Sequence, residues 1–294
     1  MLVSVYLPTR NRADLLASAV RSVLQQTHAD FELIVVNDGS SDGTADYLAD
    51  AVGRDQRISV LSNERPLGAP AARNRAIYAA RGAFVTGLDD DDTFFPERLA
   101  SFLAYWRLLE HCGVRPSCVY AQDVLDLGGT RQSETKKRSA VVASDLFEAN
   151  HIGNQVFAPR EHFLGCGLFN ERLPAWQDLE CFYRMLSAYG PARLLDMTTY
   201  TLDLSPRQDR ISRRSEANLR DAFRMVARLH ARSPQSVHQL RLQLFTELYG
   251  VRPKLEDYRD ALRHGAWPRG LLQLVRASLK LRGRLSAGAA ADAT

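Results

Sequence analysis

The chain has 294 residues, 45% of them hydrophobic and 24% charged, which supports one large domain or two small ones and excludes disorder as its main character. Its 38 Lys and Arg against 34 Asp and Glu leave a net charge of +4, too mild to point to a nucleic-acid partner. Cys112, Cys118, Cys166 and Cys181 are widely spaced with no Cys-x-x-Cys pair, so they read as reduced, small apolar residues of a cytosolic protein rather than zinc ligands or a disulfide framework.

The N-terminus is apolar but short and runs straight into Arg10, Asn11 and Arg12, unlike a signal peptide. No stretch approaches the roughly 18 apolar residues needed to span a bilayer. Strands are predicted at Val3 to Leu7, Phe31 to Val36, Ile58 to Leu61 and Ala83 to Leu88, with a further one at Ser117 to Ala121. Between them, Leu15, Leu16, Ala19, Val20, Val23 and Leu24 mark a helix with one buried stripe. Ala71 to Ala80 and Pro96 to Leu109 read as helices too, the latter with its proline in the first turn. This alternation is the pattern of a parallel sheet flanked by helices. Gly128 to Ser139 carries turn residues and a basic run without periodicity and reads as a mobile loop. A short helix follows Ser144, then the apolar Val156 to Ala158, then a helix opening near Gln177-Asp178; after Ser215 the pattern is helical almost to the end.

Packing explains the apolar stripes but not where the polar residues fall. The first four strands run at their carboxyl ends into Pro8-Thr9-Arg10-Asn11, Asn37-Asp38-Gly39-Ser40-Ser41-Asp42-Gly43, Ser62-Asn63-Glu64-Arg65 and Asp89-Asp90-Asp91-Asp92. In open α/β sheets those ends form one crevice, where ligands bind. Four consecutive aspartates repel one another, and a hard divalent ion relieves them; the alternative is that Asp91 or Asp92 caps the Pro96 helix and the rest are solvated. Asp38 can accept a hydrogen bond in the crevice, as from a pyrimidine N3, or serve an Asx turn. Arg73 and Arg75 follow Gly68-Ala69-Pro70 and either can pair with phosphate, though one of them is as readily a surface residue. Asp178 opens its helix, where a carboxylate suits the dipole, and it can act as a general base if it faces the crevice. No Gly-x-Gly-x-x-Gly and no Walker-type phosphate loop is present.

Taken in order, Val3-Ser-Val-Tyr-Leu-Pro-Thr-Arg-Asn-Arg12, Glu32-Leu-Ile-Val-Val-Asn-Asp-Gly-Ser-Ser-Asp-Gly-Thr44, Gly68-Ala-Pro-Ala-Ala-Arg-Asn-Arg-Ala76, Leu88-Asp-Asp-Asp-Asp-Thr-Phe-Phe-Pro-Glu-Arg-Leu99 and the segment Gly167 to Glu180 with Trp176-Gln177-Asp178-Leu179-Glu180 resemble the family 2 glycosyltransferases. The resemblance covers about the first two thirds of the chain. It implies the GT-A fold, a Rossmann-like, mostly parallel sheet flanked by helices, over residues 1–214, with a nucleotide-binding half at 1–122, an acceptor-side half at 123–214 and a helical extension at 215–294. It also implies an inverting transfer from a UDP- or dTDP-sugar to a glycan or glycolipid acceptor, such as lipopolysaccharide core or another bacterial surface polysaccharide, the sugar being a hexose or a deoxysugar such as rhamnose. By the same resemblance Pro8, Thr9, Arg10 and Asn11 lie along the nucleotide, Asp38 binds the pyrimidine, and Arg73 lies near the base or diphosphate. Asp89 stands nearer the ribose, Asp91 holds Mn²⁺ or Mg²⁺, and Asp178 is the base. The run of four aspartates leaves the register open at Asp90 and Asp92. Two departures stand out: Gln177-Asp178 where the family usually has Glu-Asp, and Arg207-Gln-Asp-Arg-Ile-Ser212 where many relatives carry a diphosphate-holding histidine, a role that Arg207, Arg210 or Arg213 would take.

Two rivals remain. A sugar nucleotidyltransferase would share the sheet but calls for a glycine-rich loop after the first strand, and a non-catalytic nucleotide-sugar-binding module is disfavoured by Asp38, the aspartate run and Asp178. Separately, Trp267 to Leu285 holds Arg269, Arg276, Lys280, Arg282 and Arg284 and no acidic residue, interleaved with leucines. It reads as a basic amphipathic helix that either lies on an anionic membrane, on the cytoplasmic face, or packs its apolar stripe on the protein.

Overall fold

The computed structural model describes residues 1–128, 132–205, 215–246, 249–263 and 270–279. The first third is built as read: β1 (Val3–Thr9), α1 (Ala13–Leu24), β2 (Phe31–Asp38), α2 (Thr44–Arg54), β3 (Ile58–Asn63), α3 (Ala69–Ala79) and β4 (Phe84–Gly87). β1 pairs in parallel with both β2 and β4, and β2 with β3. The strands β1 and β2 are buried on both faces, which is why they read as continuous apolar runs rather than alternating ones.

With β5 at Thr93–Phe94, β6 at Val119–Asp126, β9 at Phe157–Pro159 and β10 at Ala192–Asp203, the strand order is β3-β2-β1-β4-β9-β6-β10-β5. The chain therefore leaves β1 in one direction through β2 and β3 and returns on its other side as β4, so the order reverses between β1 and β4. Such a switch point opens a crevice at the carboxyl ends of the two strands. The far part of the sheet consists of β5, β6, β9 and β10, with β9 antiparallel to β4 and β6, and β6 parallel to β10. Phe84, Phe102, Trp106 and Phe157 pack together under it, with Phe84 stacked on Phe157 at 4.7 Å between centroids.

Two readings are corrected and one strand is added. The helix α4 (Arg98–His111) begins two residues after Pro96, so the proline precedes the helix and Glu97 is its cap; neither Asp91 nor Asp92 caps it. The segment read as a loop contains the edge strand β7 (Gln132–Glu134), exposed and antiparallel to β6, and is followed directly by β8 (Ala140–Val141) on β10; exposed edge residues need no apolar alternation, which is the signal a strand reading uses. The twelve-residue β10 was not read at all. Its register against β6 is interrupted at Leu195/Thr198 and Thr198/Tyr200, which breaks the alternation that announces a strand.

The chain divides into two compact units. The first holds Met1–Ala143, His151–Glu171 and the stretch from Gln177 through β10, including α5 (Arg160–Gly165) and α6 (Gln177–Tyr189). The second gathers Ser144–Asn150 and Arg172–Trp176 with α7 (Glu216–His230), α8 (Pro234–Leu242), α9 (Leu255–Arg263) and a helix over 270–279. Within the second unit, Arg220 reaches the fully buried Asp257 at 3.2 Å, and Gln243 donates to the carbonyls of Leu146 and Phe147 at 2.8 and 2.9 Å. Among the described residues no helix is long and apolar enough to cross a membrane.

Candidate active site

The end of β1 and the loop after β4 meet at the switch point. Thr9 Oγ1 donates to Asp90 Oδ2 at 2.7 Å. Gly87 closes β4 where a side chain cannot fit: a Cβ there would stand 2.0 Å from Gln155 Oε1 and 2.2 Å from the Tyr6 ring. That close approach lets Tyr6 OH donate to Gln155 Oε1 at 2.9 Å and frees the Gln155 amide to reach Asp89.

The four aspartates are sorted by the fold into different tasks. Asp89 accepts from Arg73 Nη2 at 2.9 Å, Asn154 Nδ2 at 2.8 Å and Gln155 Nε2 at 3.1 Å. Asp90 turns toward Thr9, and burial pushes its carboxyl up to about 6, with the charges of Asp91 and Asp89 adding to the rise against Thr9 and Arg12. Asp91 Oδ2 lies 3.2 Å from Arg12 Nη1, which is also 3.8 Å from Asp90 Oδ1. Asp92 is almost fully buried, accepting from Tyr200 OH at 2.6 Å and from the backbone N–H of Asp203 at 2.9 Å. Burial, and then its charged neighbours, raise its carboxyl well above the ordinary range. Asp92 thus ties the loop to β10, which argues against a register that makes it a ligand to a metal.

Arg73 joins the two sides of the crevice. Its Nη1 donates to Asp178 Oδ1 at 2.6 Å and its Nη2 to Asp89 Oδ1 at 2.9 Å, while its guanidinium lies over the Phe169 ring at 5.3 Å. Burial works against its charge, but the carboxylates of Asp178 and Asp89 outweigh burial and hold its pKa above the ordinary value. Asp178 opens α6, which is anchored from behind by Arg184 pairing with the buried Glu180 at 2.7 Å and donating to the carbonyls of Cys166 and Leu168. Asn74 on α3 clamps the preceding segment by accepting from Phe169 N at 2.9 Å and donating to Phe169 O at 2.8 Å.

Asp38 ends β2 buried, its Oδ1 accepting from Asn63 Nδ2 and Leu67 N and its Oδ2 from Gly68 N, all within 2.7–2.8 Å. Each carboxylate oxygen has two lone pairs, so Oδ2 keeps one acceptor position. Gly39 follows at φ +66°, where a Cβ would strike the Pro66 backbone nitrogen at 2.8 Å. Asn11, itself at φ 51°, accepts from Ser41 N at 2.8 Å and so ties the β1 and β2 loops together; Pro8 is half-buried within β1 and Arg10 is exposed. Arg75 donates to Ser62 O at 2.7 Å and to Asn63 Oδ1, away from the aspartates. Arg207, Arg210 and Arg213 lie outside the described residues.

The donor set suits a hard divalent cation held by few protein ligands. Carboxylate oxygens are the right chemistry, like charges drive one another up, and Mg²⁺ usually takes one or two carboxylates and leaves its other positions to water and phosphate. Among the described residues there is no group of three or more His, Cys, Asp or Glu able to enclose an ion by themselves. Arg12, Asn154, Gln155, Tyr6 and Tyr200 were not singled out from the sequence. Arg12 stood at the end of a quoted motif, and an amide pair immediately before an apolar strand was the available signal for Asn154 and Gln155.

Residues 4–158 match the family described as glycosyl transferase family 2. The chain is 32% identical over 265 residues to WcaA of Escherichia coli (strain K12), a glycosyl transferase named for colanic acid biosynthesis, covering 89% of this chain and 92% of WcaA. It is 40% identical over 98 residues to the Escherichia coli UDP-Glc:alpha-D-GlcNAc-diphosphoundecaprenol beta-1,3-glucosyltransferase WfgD, covering 33% of this chain and 38% of WfgD. Its fold is similar to that of S. aureus TarS 1-349 solved with UDP-GlcNAc, with a TM-score of 0.66 at 20% identity over 95% of this chain and 82% of that one.

Proposed function

Because the chain belongs to glycosyl transferase family 2, we propose that it transfers a sugar, with inversion, from a UDP- or dTDP-linked donor to a hydroxyl of a bacterial surface glycan in the cytoplasm. The observation that carries the reading is the single buried guanidinium of Arg73 bonded at once to Asp89 and Asp178. It brings the carboxylates of Asp89 and Asp178 to one guanidinium, which supports reading the first as donor-side and the second as the base. The surface-glycan acceptor rests on relatives named for colanic acid and for an undecaprenol-linked substrate; lipopolysaccharide core is a finer version of the same reading. The transferred sugar is a hexose or a deoxysugar such as rhamnose.

Asp38 Oδ2 takes the pyrimidine N3–H in its remaining acceptor position, and the Pro8 to Asn11 turn lies along the nucleoside. Asp89, held by Asn154 and Gln155, presents its carboxylate toward the ribose. Asp178 removes the acceptor hydroxyl proton as that oxygen attacks the anomeric carbon from the side opposite the diphosphate. The bond between the anomeric carbon and the diphosphate oxygen breaks, its electron pair leaves with the nucleoside diphosphate, and the proton stays on the Asp178 carboxylate. Arg73 fixes the orientation of Asp178 during this step, and Arg12 adds positive charge at the aspartate edge. When bound at Asp91, Mn²⁺ or Mg²⁺ supplies Lewis-acid stabilisation of the diphosphate charge, on the order of several kcal/mol.

The test is release of nucleoside diphosphate from UDP- and dTDP-sugars by the purified protein with Mn²⁺ or Mg²⁺. Turnover that disappears on chelation is expected. No release from any donor by folded protein would overturn the enzyme reading, and release indifferent to chelation would overturn the assignment of Asp91.

A further inference from the structure

The helix over 270–279 is apolar on two faces, and among the described residues only one of them is packed. Leu274 is fully buried; Gln273 Nε2 donates to Leu242 O at 2.9 Å, and Tyr258 OH lies 2.7 Å from Ser278 Oγ, which seats that face on α8 and α9 of the second unit. Leu272, Val275, Arg276 and Leu279 recur at i, i+3, i+4 and i+7 and form a separate stripe, in which Leu272, Val275 and Leu279 are 48%, 40% and 60% exposed. On α9 of the same unit, Leu255 and Leu262 stand seven residues apart, hence on one side of that helix, and are also exposed. The packed stripe and the exposed stripe are therefore different sets of residues, and packing among the described residues does not account for the second.

The charge around this stripe indicates its occupant. Residues 267–285 contain Arg269, Arg276, Lys280, Arg282 and Arg284 and no Asp or Glu, and Arg276 stands exposed within the stripe. Large exposed apolar side chains beside an exposed arginine, in a sequence segment rich in Lys and Arg and free of Asp and Glu, fit a layer of apolar chains beneath anionic headgroups. We propose that this face of the helix over 270–279 is a docking surface for an anionic lipid bilayer, on which the helix lies in the plane of the headgroups. The inference stands on the second unit alone and does not depend on the proposed reaction. It also does not require a spanning segment, since among the described residues no helix can cross.

The experiment sediments the full chain with vesicles of phosphatidylglycerol or of phosphatidylcholine. The chain is expected to pellet with phosphatidylglycerol, to stay in solution with phosphatidylcholine, and to bind less as salt shortens the reach of the charges. A Leu272→Gln/Leu279→Gln variant, with its unfolding midpoint unchanged, should lose at least about tenfold in partition to phosphatidylglycerol. Arg276→Glu should weaken partition in the same direction and serves if the leucine variant does not fold. Absence of the unaltered chain from the phosphatidylglycerol pellet, or partition of both variants equal to it, would overturn the proposal. So would a dimer in solution that the leucine variant dissociates, because the stripe would then be covered by a second copy.

Discussion

The two ends of the central parallel strands carry buried carboxylates in opposite states. At the amino end, Glu32 of β2 accepts from Ser4 Oγ at 2.6 Å, from the backbone N–H of Arg81 at 2.7 Å and from Arg81 Nε at 2.8 Å. Burial resists its charge, but those hydrogen bonds and the Arg81 charge prevail and hold its pKa below the ordinary value. At the carboxyl end, Asp90 has one Thr9 hydroxyl and a distant Arg12, and burial beside two further aspartates pushes it up to about 6. A fold that satisfies one buried carboxylate with three donors can satisfy another. Burial and crowding raise the carboxyls of Asp90 and Asp92 at the carboxyl end, and under the proposed function a bound cation would relieve that crowding.

The comparison can be broken most directly at Asp178. Asp178→Asn is expected to lower turnover by about 10²- to 10⁴-fold with donor affinity unchanged by titration; a variant of near-normal turnover would remove the base from the account. Arg73→Gln comes next. It leaves Asp89 and Asp178 without their shared cation, and removing one partner from buried ion pairs costs about 3–5 kcal/mol, read as a lowered denaturant midpoint. A loss below about 1 kcal/mol would mean that the guanidinium does not hold the two sides together.

Asp91→Asn and Asp92→Asn separate the neighbouring aspartates. The first should reduce donor affinity in Mn²⁺ at least about tenfold, to its value without metal; the second should keep the metal effect, because Asp92 is engaged by Tyr200 and Asp203. The reverse result would shift the register by one. The smallest effect lies at the amino end. With its folded-state pKa below the ordinary 4.5, Glu32 contributes stability that is present above about pH 4.5 and lost as pH falls through the folded value. Glu32→Gln should therefore cost about 1 kcal/mol at pH 7, with the gap to the unaltered chain closing as the pH falls below the ordinary 4.5. A gap that persists in acid would show that the hydrogen bonds, not the charge, carry the effect.

What the sequence disclosed follows the same division. Residues whose role depends on the end of one strand were legible: Thr9, Asp38 and the aspartate run each follow a β-branched segment within a few residues. Asp178 was legible through the order of motifs. Residues that reach the crevice through long-range pairing were not. Tyr200 sits on a strand whose register shifts disguised it, and it meets Asp92 across 108 positions. Asn154 and Gln155 meet Asp89 only because β9 runs antiparallel beside β4, a pairing that no local pattern encodes. Arg73 reads from the sequence as a candidate phosphate or base ligand, whereas its bond to Asp178 spans 105 positions and is visible only in the fold.

The proposed function makes the carboxyl end of these strands a metal-assisted site for a pyrimidine nucleoside diphosphate. Calorimetric titration of the purified chain with UDP, dTDP, GDP and ADP, each with and without Mn²⁺, tests it most directly. Binding of UDP or dTDP that requires Mn²⁺ is the expected result; a folded sample that binds none of the four would contradict it.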